Sequence, residues 1–181
     1  MSDISRVVLF GKDCLKVEGA ILGPWRSNFA GVKDQNGDST RCFYIRLTPE
    51  QAEELINVDG FTCVKQTKED PEGRYEQEWY AKVRVKFHDE PEKQRFNPNI
   101  NLVSGNGRFV RLTPETIGEL DGTRFESVDL TISSNEWVGR NGFTKTMYCS
   151  EGYFKPIVAS AWSDKYNMTD VPDDGEGGFN N

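Results

Sequence analysis

The chain has 181 residues, of which 36% are hydrophobic and 28% charged, and it carries 11 Phe, 6 Tyr and 4 Trp. That supports one packed domain and is too aromatic for a disordered chain. No apolar run approaches the roughly 20 residues of a membrane span, and the start, Met1-Ser2-Asp3-Ile4-Ser5-Arg6, lacks the basic and apolar regions of a signal peptide, so a soluble, cytoplasmic protein is expected. The net charge of -7 argues at first against a nucleic-acid partner. Yet residues 161–181 hold Asp164, Asp170, Asp173, Asp174 and Glu176 against Lys165 alone, a net -4, which leaves -3 for everything before them.

In chain order, Leu15, Val17 and Gly19 to Leu22 predict a strand that stops at Gly23-Pro24, because proline cannot donate to a ladder. The polar, turn-rich run Lys33 to Asp38 separates it from a second strand, Cys42 to Leu47. Two similarly worded helix starts follow strands: Leu47-Thr48-Pro49-Glu50 and Leu112-Thr113-Pro114-Glu115. Each puts Thr at the N-cap, Pro at the first helical position and an acid just inside, and Gln51 completes a capping box for the first. So short a match is read as two ordinary capped strand-to-helix turns in preference to a duplicated subdomain. Trp79 to Phe87 alternates as a strand, Asn101–Val103 and Phe109–Arg111 flank the turn Ser104-Gly105-Asn106-Gly107, and Asp129–Ser133 pairs with Phe143–Cys149 around Asn141-Gly142. Many short strands and two short helices predict a mainly β fold, an antiparallel barrel over residues 1–160. Residues 161–181 combine Gly, Pro and acid with no periodic apolar pattern, which predicts a disordered acidic tail.

Enzyme chemistry finds little support in these residues. His88 is the only histidine and has no Gly-x-Ser-x-Gly elbow or cysteine partner context. Phosphate-loop and dinucleotide glycine patterns are absent, and Cys14, Cys42, Cys63 and Cys149 are too widely spaced for a zinc or redox pair. No metal, no cofactor and no catalytic residue is expected.

One strand differs. In Trp79 to Phe87, a period of two puts Ala81, Val83, Val85 and Phe87 on one face and Tyr80, Lys82, Arg84 and Lys86 on the other. Cations two residues apart on a strand stand about 6.5–7 Å apart, close to the backbone repeat of an extended single strand of nucleic acid. An aromatic beside them offers a base a stacking platform. The loop Pro24-Trp25-Arg26-Ser27-Asn28-Phe29 adds two aromatics and a cation outside any strand pattern, and Trp137, Arg140, Phe143, Lys145 and Tyr148 add a mixed set on the last hairpin. The expected nucleic-acid-binding set is Trp25, Arg26, Phe29, Tyr80, Lys82, Arg84, Lys86, Trp137, Lys145 and Tyr148. The acidic tail is expected to occupy the basic groove until a polyanion displaces it.

The run from Gly19 to about Val158 resembles a family of tailed-phage single-stranded DNA-binding proteins with an oligonucleotide-binding (OB-like) barrel. The match rests on Trp25-Arg26-Ser27-Asn28-Phe29-Ala30-Gly31, Arg41-Cys42-Phe43-Tyr44-Ile45, Gly60-Phe61 and Trp79-Tyr80-Ala81-Lys82-Val83. It continues in Asn101 to Arg108, in Val128 to Ile132, and in Trp137 with Asn141 to Tyr148. The resemblance implies single-stranded DNA as partner, a role in phage DNA replication or recombination in the host cytoplasm, and a strand facing Trp25, Arg26, Phe29, Tyr80 and the basic stripe. It also implies a tail that recruits replication or recombination proteins through Asp170, Asp173, Asp174, Glu176 and Phe179. Two rival readings are an acidic protein that inhibits a host nucleic-acid enzyme by mimicking DNA, and a virion structural protein. The first would cap Tyr80, Lys82, Arg84 and Lys86 with acids such as Glu76, Glu78 and Glu136.

Overall fold

The computed structural model describes residues 2–23 and 27–157. Among the described residues, nine strands form one sheet: β1 Asp3–Leu9, β2 Lys12–Glu18, β3 Cys42–Leu47, β4 Val64–Gln66, β5 Trp79–Arg84, β6 Asn99–Val103, β7 Phe109–Arg111, β8 Phe125–Gly139 and β9 Gly142–Pro156. The backbone of the sheet runs β1-β2-β8-β9-β5-β3, with β4 on β5, and β6 joining β7 to β9. The mainly β class is therefore found, with two corrections to the expected barrel. The sheet is mixed, because β9 runs parallel to both β5 and β6; long crossovers make such pairings possible.

The strand ladder also stays open between β3 and β8. At that seam, among the described residues, Leu22 and Asn28 meet β3 in isolated bridges to Ile45 and Cys42, each made of two backbone hydrogen bonds, and the Ala20 N–H donates to the Val128 carbonyl at 2.7 Å. A continuous strand is blocked where Gly23 meets Pro24, which has no N–H to give.

Thr48 and Gln51 cap the helix α1, Pro49–Asn57, with the full reciprocal capping box. The second Thr-Pro-Glu start has Thr116 where a Glu or Gln would close the box. There the Thr113 N–H donates to Thr116 Oγ1 at 2.8 Å, and a short 3-10 turn, Ile117–Leu120, replaces the expected α-helix. A further 3-10 segment covers Pro91–Phe96. The two starts do not build equivalent units, since only α1 is a full helix packed against β3, β4 and β5.

Strand alternation fills the core. Phe43, Ile45 and Leu47 of β3 and Ala81 and Val83 of β5 point inward with Ile100, Leu102, Leu130, Ile132, Met147 and Phe154. Phe29, Phe43 and Phe154 form its aromatic centre, with ring centroids 5.3 to 5.7 Å apart. β1 was not legible as a strand because it is an edge whose alternation is masked by exposed Val8 and Leu9.

Candidate nucleic-acid interface

The register between β3 and β5 builds a face from two sequence segments. Arg84 lies opposite Cys42, Lys82 opposite Tyr44, and Tyr80 opposite Arg46. Since Phe43, Ile45, Ala81 and Val83 face inward, Tyr44, Arg46, Tyr80, Lys82 and Arg84 share the outer face. β4 adds Lys65 opposite Tyr80, and β9 adds Tyr148 beside Arg84. The result is a patch of tyrosines interleaved with cations on an otherwise anionic chain.

Its geometry is ordered without being sealed. The Tyr44 and Tyr80 rings meet edge to face with centroids 5.7 Å apart, an arrangement favoured by the ring quadrupoles. Burial pushes the Tyr44 phenol up to about 12, so it stays neutral through the physiological range. Burial likewise raises the Cys42 thiol, and raises Cys63 to about 11, which leaves both poor nucleophiles. Lys82 and Arg84 are half-buried and Lys86 is exposed. Among the described residues, none of these three has a carboxylate within ion-pair distance.

None of the acids expected to cap the stripe pairs with Lys82, Arg84 or Lys86. Glu78 lies 3.8 Å from Arg46, Glu136 pairs with Lys145 at 3.5 Å, and Glu76 is exposed. Asp38 is the acid that senses Lys82 and Arg84. A hydrogen bond from the Thr40 hydroxyl, with the Thr40 N–H, holds its carboxyl below the usual range, and the two cations add to this.

The remaining expected site residues separate into three groups. Tyr148 sits beside Arg84, and Trp137 lies on the same side of the β8–β9 ribbon as Tyr148, by the pairs Ser133 to Tyr148, Asn135 to Thr146 and Trp137 to Thr144. Phe29 does not belong to the surface. It is fully buried against Phe43 and Phe154, so it is a core residue and not a stacking platform. Its neighbours predicted a loop, but Asp121 folds that loop inward by accepting the Ser27 hydroxyl and the Phe29 and Ala30 N–H groups, each at 2.9 Å.

Lys145 is likewise a structural cation. Its side chain is 15% exposed, and its ammonium donates to the Asp59 carbonyl at 2.7 Å, pairs with Glu136 and lies 4.5 Å from the Phe61 ring centre. Trp25, Arg26 and the tail residues Asp170, Asp173, Asp174, Glu176 and Phe179 lie outside the described residues.

Sequence reasoning missed Tyr44, Arg46 and Lys65. The alternation in Cys42-Phe43-Tyr44-Ile45-Arg46-Leu47 was enough to turn Tyr44 and Arg46 outward, but only the pairing shows that this face joins that of β5. Among the described residues, no group of three or more His, Cys, Asp or Glu side chains is arranged to hold a metal ion.

No family model and no curated protein sequence matches this chain. Among solved structures, the chain is similar to the single-stranded DNA-binding protein from bacteriophage Enc34, with a TM-score of 0.46 and 10% identity over 84% of this chain and 89% of that one. It is similar to a C-terminal truncation of that protein, with a TM-score of 0.46 and 10% identity over 80% and 86% of the two chains. It is also similar to the Enc34 protein in complex with single-stranded DNA, with a TM-score of 0.47 and 11% identity over 82% and 89%.

Proposed function

We propose that this protein is a non-enzymatic binder of single-stranded DNA with little sequence preference. The observation that carries the reading is the outer face of β3 and β5, where Tyr44 and Tyr80 stand among Lys82, Arg84 and Arg46 with Tyr148 alongside. Cations spaced along a strand follow a phosphate backbone, and tyrosine rings stack on any base, at roughly 1–3 kcal/mol per base. Lys82, Arg84, Lys86 and Tyr148, with Trp137 further along the ribbon, form the contact set. Trp25 and Arg26 join it on the strength of the sequence resemblance.

The same resemblance supports a place in phage DNA replication or recombination in the host cytoplasm, with the acidic tail recruiting protein partners. A DNA-mimic reading has less support, because Glu78 reaches this face only at Arg46, while Lys82, Arg84 and Lys86 have no carboxylate within ion-pair distance among the described residues. The test is quenching of intrinsic tryptophan and tyrosine fluorescence by oligothymidine and by duplex of the same length. Tight binding to the single strand with much weaker binding to the duplex is expected. Equal affinity for the two would contradict the reading.

A further inference from the structure

We infer that the nucleic-acid track continues beyond the β3–β5 face into the open seam between β3 and β8, with Arg124 receiving a phosphate at its far end. This deepens the proposed function and rests on it.

Three clefts adjoin in sequence. One of about 410 Å³, bordered by Lys82 and Tyr44, shares Ser27, Tyr44 and Asp121 with a second of about 400 Å³. That second cleft shares Leu22, Gly23, Thr123 and Phe125 with a third of about 770 Å³, bordered by Arg46 and Arg124. Tyr44 therefore forms a wall common to the cationic stripe and the seam. Residues 20–23 meet β3 by the Gly23 N–H on the Tyr44 carbonyl at 3.0 Å and the Arg46 N–H on the Ile21 carbonyl at 2.8 Å, and β8 by the Ala20 N–H alone, and the clefts lie on either side of these contacts without a continuous ladder between the two strands.

The chemistry of the lining suits a continuing strand. Leu22 and Phe125 offer apolar surface to base faces, and Gly23 and Gly122 let a ligand approach the backbone closely. Four acids line the three clefts: Asp34, Asp38 and Asp121 accept uncharged donors of nearby loops, and Glu126 pairs with Lys155 at 3.2 Å. Arg124 is exposed and, among the described residues, has no carboxylate within ion-pair distance. The open charge at this far end is thus positive, separated from the stripe by a middle cleft whose one charged lining residue is Asp121.

The experiment titrates the full chain and its Arg124→Ala, Arg124→Glu and Lys82→Ala variants with oligothymidines of increasing length, each over a salt series. Circular dichroism and melting temperature establish that every variant is folded. Arg124→Ala should leave the shortest binding oligonucleotides within about twofold of native, weaken the longer ones several-fold, and reduce their salt slope by about 0.7, the value for one phosphate contact on a single strand. Arg124→Glu should enlarge the length-dependent loss.

If both Arg124 variants match the native protein at every length while Lys82→Ala weakens binding, the seam is not part of the track and the inference fails alone. Equal weakening at all lengths would place Arg124 in the primary contact and overturn the extension. If Lys82→Ala also has no effect, the proposed function falls and the inference with it.

Discussion

Tyr80 presents its ring edge to face with Tyr44 on the outer face, with Arg46 and Lys65 opposite it on the two neighbouring strands. Removing that ring leaves the inward-facing Ala81 and Val83 in place, so Tyr80→Ala should keep the melting temperature within a few degrees. It should weaken oligothymidine binding by about 1–3 kcal/mol, read by anisotropy titration. The opposite pattern is expected at Phe29: losing a fully buried ring from the Phe29, Phe43 and Phe154 cluster should cost about 3–5 kcal/mol of stability in urea denaturation. Phe29→Leu, which retains most of the volume, should bind DNA as the native protein does.

Phe29 and Lys145 show what single-residue reasoning cannot reach. An aromatic in a polar loop and a lysine in a hairpin both read as surface groups. Their fates were set by Asp121, 92 positions away from Phe29, and by Asp59 and Phe61, on a segment far from Lys145 in sequence. Tyr80, Lys82 and Arg84 were legible because a strand of period two with one apolar face leaves its other set of side chains facing outward.

At the scale of elements, the capping box of α1 was readable in four residues because it is a local reciprocal hydrogen-bond pair, Thr48 with Gln51. The second Thr-Pro-Glu start lacked the third-position partner, and it became a 3-10 turn. The parallel placement of β9 beside β5 and β6 was not legible, because pairing direction between distant strands is decided by the crossover path and not by either strand's own pattern.

Residues 27–30 beside the seam are held by Asp121, directly after the 3-10 turn, together with the Asn28 to Cys42 bridge and the Arg41 guanidinium on the Phe29 carbonyl. Asp121→Ala should leave two backbone donors without their partner and lower stability by roughly 2–4 kcal/mol. It should also weaken long oligonucleotides more than short ones, measured by denaturation and titration on the same sample.

The whole molecule combines a net charge of -7 with a local cationic face. A uniformly spread charge would repel DNA, whereas a polyanion responds to local charge within the Debye length, about 8 Å at physiological ionic strength. If the acidic residues of 161–181 compete for that face, as proposed from their composition, deleting residues 170–181 should tighten oligothymidine binding at low salt and lose its effect as salt rises. Unchanged affinity at every salt concentration would remove the tail from the account without touching the stripe.

The most direct measurement is the salt dependence of oligothymidine affinity for the native protein beside a Lys82→Ala, Arg84→Ala double variant, both verified as folded. The account predicts a linear fall of log affinity with log salt for the native chain and a slope shallower by about 1.4 for the double variant, at roughly 0.7 for each lost phosphate contact. Identical slopes and affinities would show that the β5 cations do not touch the strand, and would contradict the central claim.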